Sequence, residues 1–215
     1  MKQNLMNTPC IIKNILMNTP CDQTMYTTIF HIADIHFRKG DKTDAFIANY
    51  PSMCDKFITY VKEHPKRTTG IIVIAGDIFH DKSLLGAFSM ELAYKFLSEC
   101  AMLCPTVIIR GNHDYVQEKS KEDQSDILSV FVNIISANTD IPRNIYYVNT
   151  STILELNNIG FSIVDIADIR KKGSGSGLTD ELPEWNYEFS PNVLTKIAVF
   201  HGSISKTAFS FPASS

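Results

Sequence analysis

Asp34, His36, Asp77, Asn112 and His201 are the side chains of this 215-residue chain whose types and spacing suit work on a divalent metal ion. They fall in four short polar clusters: Asp34-Ile35-His36, Gly76-Asp77-Ile78-Phe79-His80-Asp81, Gly111-Asn112-His113-Asp114 and His201-Gly202. Carboxylate, imidazole and amide oxygen form a hard-to-borderline donor set suited to Mn²⁺, Fe²⁺ or Zn²⁺. Alternation along an extended segment puts Asp34 and His36 on one side, within reach of a common ion. Gly76 and Gly111 let the backbone turn sharply beside the ligands. Taken singly, each residue has a plainer role. A lone Asp77 reads as a helix cap, and a lone His113 as a loop histidine satisfied by carbonyls. Two histidines stand apart: His31 reads as a packed or surface residue, and His64, before Pro65, as a helix end complementing the dipole.

Each cluster follows an apolar run, so the elements explain how the four can meet. Thr28 to Ala33 reads as a strand, Ile71 to Ala75 as a buried strand, and Pro105 to Ile109 as a third. Between them, Phe46, Ile47, Tyr50, Cys54, Phe57, Ile58 and Val61 have helical spacing, with Pro51 blurring the start. Leu84, Phe88, Leu92 and Phe96 mark a second helix, and Leu128, Phe131, Val132 and Ile135 a third. Three βαβ units build a sheet whose carboxyl ends can gather the clusters at one edge. After Ile145 the texture changes to closely spaced strands, Tyr146–Asn149, Thr152–Leu156 and Phe161–Ala167, with a hairpin turn at Asn157–Gly160. Lys196–Phe200 is a further buried strand leading to His201.

Composition is that of an ordinary globular domain, 44% hydrophobic and 20% charged, and the net charge of -3 supplies no global field for a polyanion. Any grip on nucleic acid must be local or metal-borne. Arg38, Lys39 and Lys42, just past the first cluster, can supply part of it or simply form a solvated loop. Five cysteines without a C-x-x-C pair argue against both a disulfide framework and a zinc finger, and favour reduced thiols inside a cell. Neither a signal-peptide core nor a membrane-length apolar run is present. Cytoplasm, nucleus or a viral factory are the compartments expected. The near-duplicate Leu5–Cys10 and Leu16–Cys21 reads as a tail, with Met17 or Met25 as alternative starts. Gly173-Ser174-Gly175-Ser176-Gly177 is linker-like, either an engineered loop replacement or a natural surface loop.

In order, D-x-H, G-D, G-N-H-D and a strand-final histidine resemble the calcineurin-like metallophosphoesterase superfamily, over roughly Thr28 to Ile204. Within it, Gly76–Asp81, His31–Phe37 and Phe200–Gly202 look like the corresponding stretches of the SbcD-like double-strand-break repair nucleases. The resemblance implies a four-layer α/β/β/α sandwich and two divalent ions, Mn²⁺ foremost. Asp34 and His36 would hold the first ion, Asp77 would bridge both, and Asn112 and His201 would hold the second. His113 would contact the phosphate and assist the leaving group, and Asp114 would orient His113. DNA is the implied substrate, an SMC-like ATPase and a second copy the implied partners.

The superfamily closes its site with a later G-H-x-H or G-D-x-H element, and none occurs here. The expected domain is therefore residues 27–204 without its last motif, C-terminally truncated, flanked by tails at 1–26 and 205–215, and weakened as a catalyst. Two other readings share the motifs: a phosphoesterase acting on nucleotides or phosphoproteins, and a binding or scaffold relative with impaired chemistry.

Overall fold

A computed structural model describes residues 24–40, 45, 47–81, 86–115, 126–142, 144–168 and 188–202. Residues 1–23 of the first tail, the whole of the second, Lys42, Phe46 and Leu84 of the helical patterns, and the Gly173–Gly177 linker lie outside these residues.

Four strands, β1 (Thr28–Ile32), β2 (Gly70–Ala75), β3 (Thr106–Ile109) and β4 (Ile145–Val148), pair parallel in sequence order. The crossovers are α1 (Tyr50–Glu63), α2 (Ala87–Leu103) and α3 (Ile127–Ala137). Right-handed crossovers stepping in one direction put every helix on the same face. Pro51 sits in the first turn of α1, where its missing N–H costs nothing, and a short 3-10 turn at Ile47–Asn49 leads into it. His64 closes α1, its Nδ1 accepting from the Lys66 amide while its ring meets Phe30 edge-on, so packing and capping define it. His31 is exposed on β1.

The strands divide their side chains cleanly. Phe30, Ile72, Ile74, Ile108 and Ile145 face the helices, with Leu97, Cys100, Leu128 and Ile135 opposite them. Ile71, Val73, Val107, Ile109 and Val148 face the other way, onto Leu156, Ile159, Phe161, Ile163 and Val199 of a second sheet. That sheet is β5 (Thr152–Leu156), β6 (Ile159–Val164) and β7 (Thr195–Phe200), antiparallel between the first two and parallel between the last.

Two expectations shift here. Tyr146–Asn149, read as the first of the closely spaced strands, joins the first sheet by pairing with β3 and completes the third βαβ unit. β6 runs Ile159–Val164 rather than Phe161–Ala167, because a two-residue turn suffices: Leu156 already pairs with Ile159, and Asn157 takes the tight corner at φ 51. Among the described residues, helices, first sheet and second sheet form three of the four expected layers.

Candidate metal centre

All four clusters lie at the carboxyl ends of β1, β2, β3 and β7. The segments after β1 and β2 stay zipped together beyond the strands. Asp34 N–H donates to Gly76 O at 3.1 Å, His36 N–H to Asp77 O at 2.9 Å, Phe37 N–H to Ile78 O at 2.8 Å, and His80 N–H to Phe37 O at 3.1 Å. Ile35, Phe37, Ile78 and Phe79 are buried between the polar residues and pin both segments to the core. The Tyr50 hydroxyl donates to the His36 carbonyl, and the Ser89 hydroxyl to that of Arg38, so α1 and α2 hold the same loop from above.

Period-two alternation is not what sets the ligands side by side. Asp34, His36 and Asp77 have φ of 55, 53 and 53, in the left-handed region where non-glycine side chains are strained. β1 has ended at Ile32, and these turns, not an extended strand, bring the side chains to one side. Three strained, non-glycine residues at one spot mark a place where geometry outranks local comfort. Gly76 and Gly111 permit the crowding. A Cβ on Gly76, itself at φ +88, would stand 2.6 Å from His201 Nδ1, and one on Gly111 would stand 2.0 Å from Asp77 Oδ1.

One oxygen organises the centre. Asp77 Oδ2 lies 3.5 Å from His36 Nε2 and 3.3 Å from His201 Nε2, and His201 Nε2 lies 3.1 Å from Asn112 Oδ1. His36 Nε2 is 3.8 Å from Asp34 Oδ1. Neighbouring donors around an ion with bonds near 2.1 Å stand roughly 3.0–3.4 Å apart. His201 already stands at that spacing from both Asp77 and Asn112, and His36 approaches it with Asp77 and Asp34. Asp77 Oδ1 is occupied by the His113 N–H at 2.9 Å, leaving Oδ2 as the oxygen shared by the two groups.

The histidines are oriented by backbone. His201 donates from Nδ1 to the Ala75 carbonyl at 2.8 Å, and His113 from Nδ1 to the His80 carbonyl at 2.7 Å, so each presents Nε2. Burial alone would lower the His201 imidazole, yet its hydrogen bonds to Asp77 and Ala75 push it up to about 9. Burial likewise would raise Asp77, but the bonds from His201 and the His113 amide hold it below the ordinary carboxylate range. His36 is lowered by burial, against the pull of Asp77.

Asp114 has a different place from the one expected. It is fully buried and accepts from the amides of Ile78 at 3.2 Å, Phe79 at 2.9 Å and Gly111 at 2.9 Å, while His113 is oriented by the His80 carbonyl. Its carboxylate ties the β2 loop to the β3 loop. Burial pushes it up to about 6 against those three amides.

His80 is the residue to which the sequence reading assigns no role. Its ring stacks on His113 at 5.2 Å and 17°, and His36 meets the two rings edge-on at 5.4 and 4.9 Å. The three imidazoles bring one nitrogen each within 4.8 Å, as Asp34, His36 and Asp77 do with their own donors. The only sequence signal for it is its position in the Gly76–Asp81 segment.

The family description calcineurin-like phosphoesterase matches residues 27–212 of the chain. The chain belongs to this family. The chain is 27% identical over 176 residues to an uncharacterised protein of Acanthamoeba polyphaga mimivirus, covering 82% of this chain and 12% of that relative. It is also 28% identical over 138 residues to a protein of Invertebrate iridescent virus 6 whose designation as a phosphoesterase is itself inferred, covering 63% of this chain and 42% of the other. It thus spans well under half the length of either relative. The chain's donor set fits the divalent ions its family uses: two carboxylates, two neutral-capable imidazoles and an amide oxygen converge, with a strained backbone to hold them. No helix among its described residues is long and apolar enough to cross a membrane.

Proposed function

We propose that this phosphoesterase is a two-metal phosphodiesterase that processes DNA ends, as in double-strand-break repair, with Mn²⁺ as its ion. The observation that carries the two-metal part is Asp77 Oδ2, placed 3.5 Å from His36 and 3.3 Å from His201. Ions held between those groups would supply charge to bind a phosphate and to lower the pKa of water for attack at neutral pH. Around them the chain's own groups divide the work. Asp34, His36 and Asp77 would hold one ion, and Asp77, Asn112 and His201 the other. His113, with Nδ1 fixed by the His80 carbonyl, offers Nε2 as proton donor to the departing oxygen.

Support for DNA comes from the likeness of Gly76–Asp81 and its neighbours to the break-repair nucleases, and from Arg38 and Lys39 directly after the ligands Asp34 and His36. An SMC-like ATPase and a second copy of the chain are proposed as partners on the same likeness. A viral source fits both relatives.

The test is a Mn²⁺ series from micromolar to millimolar with three substrates: linear duplex DNA, a small aryl phosphodiester and an aryl phosphomonoester. DNA and diester cleavage with little monoester turnover is expected. Preferential monoester hydrolysis overturns the nuclease reading in favour of a nucleotide or phosphoprotein phosphatase. Metal uptake with no turnover favours a binding relative.

A further inference from the structure

Arg110 immediately precedes the Gly111–Asp114 cluster, and beside a phosphoesterase site an arginine invites a role in gripping substrate. Its surroundings point elsewhere. The guanidinium is nearly buried, its side chain 11% exposed, and it forms a two-pronged pair with Asp165, Nε to Oδ1 at 2.6 Å and Nη2 to Oδ2 at 2.7 Å. Nη1 stands 3.7 Å from Asp126 Oδ2, and the guanidinium carbon lies 4.8 Å over the Tyr115 ring. Both edges and one face of the group are committed to protein.

Those partners come from every layer that meets at the site. Asp165 directly follows β6 of the second sheet, where the Ala167 amide also donates to it at 3.0 Å. Asp126 caps α3 through the Ser129 amide at 2.8 Å and accepts the Tyr147 hydroxyl of β4 at 2.5 Å. Arg110 itself directly follows β3. Tyr115 closes the loop that carries Asn112 and His113. One guanidinium thus joins the first sheet, the start of α3, the second sheet and the far end of the Asn112–His113 loop.

The consequence follows from where the second group of ligands comes from. Asn112 rides on the first sheet and His201 on the second, so their 3.1 Å approach depends on the two sheets holding register at this edge. We propose that Arg110 is a positioning residue that locks the Asn112–His113 loop to the second sheet through Asp165 and so assembles the metal position shared by Asn112 and His201. This rests on the metal-centre reading above. A buried charged pair adds little stability on balance, and in some proteins its use is to fix one geometry, the role assigned here.

Arg110→Met alone strands two buried carboxylates and is expected to fold poorly, so the decisive variant is Arg110→Met with Asp165→Asn, which removes the pair and leaves Asp126 held by Ser129 and Tyr147. In the whole metal-free chain, amide hydrogen exchange at 111–115 is expected to speed up at least tenfold in the double variant, with 34–37 unchanged. Mn²⁺ titration is expected to show the weaker step falling by about 10–100-fold while the other holds. Turnover number falls with it and substrate KM stays. Arg110→Lys, charged but unable to fork, lies between. Unchanged exchange at 111–115 overturns the proposal, as does a raised KM with metal binding intact, the signature of a substrate-gripping arginine. Failure of the metal reading shows separately, as a wild-type chain that takes up no Mn²⁺, and the exchange result still decides the clamp.

Discussion

Nε2 of His201 stands 3.3 Å from Oδ2 of Asp77, with the other ring nitrogen tied to the Ala75 carbonyl, and these bonds push the imidazole up to about 9, favouring its cation against the carboxylate proposed to hold metal. The proton and the ion compete for one nitrogen. At the other group the competition is weaker, since burial keeps His36 below its ordinary value. The two halves of one centre therefore differ in their response to pH.

Metal uptake by the Asp77–Asn112–His201 group is expected to release a proton and strengthen about tenfold per pH unit up to about 9, then level off. Uptake by Asp34–His36–Asp77 should be flatter across the same range. The same raised value gives the metal-free fold a contribution to stability that is complete below pH 6.5 and fades as pH climbs through about 9. Mn²⁺ calorimetry in buffers of different ionisation enthalpy, from pH 6.5 to 9.5, counts the released protons; none released at pH 7 would contradict the cationic His201.

Asp77→Ala should abolish binding at both groups, because Oδ2 serves both. His113→Ala should leave metal uptake intact and reduce turnover by about 10²–10⁴-fold, the usual weight of a proton donor. Equal loss of metal in the two variants would refute this division of roles.

Asp114→Ala should read out as lost stability before lost chemistry. It strands the amides of Ile78, Phe79 and Gly111, each costing about 1–3 kcal/mol when buried without a partner. In a chain of this size, each kcal/mol lowers Tm by roughly 2–4 °C, so a fall on the order of 10 °C is expected. A Tm within a degree or two of wild type would show that the loops do not depend on this carboxylate.

Gly111→Ala places a methyl 2.0 Å from Asp77 Oδ1 and 2.4 Å from the Asp77 amide nitrogen. The carboxylate must swing away, and both groups should bind metal more weakly, by tenfold or more. Wild-type affinity with the alanine in place would mean that the β3 loop yields without disturbing Asp77. Calorimetry with Mn²⁺ separates the two results.

Strands β2 and β3 were legible because a buried strand writes itself as an unbroken apolar run, with the polar cluster where that run stops. β1 and β7 were read from the same kind of run, but β7, expected to be buried, is mostly exposed, with only Val199 fully covered. What alternation could not convey is how Asp34 and His36 come together, since left-handed turns are invisible to a hydrophobic pattern. β4 shares the short, mixed look of β5, and only its parallel pairing with β3 assigns it to the first sheet. His80 was hidden in the loop after Asp77, where ring stacking rather than spacing defines its place. Arg110 and Asp165 are separated by 55 residues, and nothing local marks either as half of a pair. Asp114 carries the type of a catalytic residue, and only its burial reveals an anchor.

The left-handed turns at Asp34, His36 and Asp77 also bear on how this sequence can drift. Each holds a side chain in a conformation costing roughly 1–3 kcal/mol, and glycine or asparagine would relieve part of it. While metal chemistry is under selection that relief is unusable, because the replacement discards a ligand. In a lineage that no longer needs the chemistry, the same three positions become the quickest route to a sturdier fold. Glycine or asparagine accumulating there, ahead of change elsewhere in the core, is the footprint by which an inactive descendant of this phosphoesterase can be told from a working one.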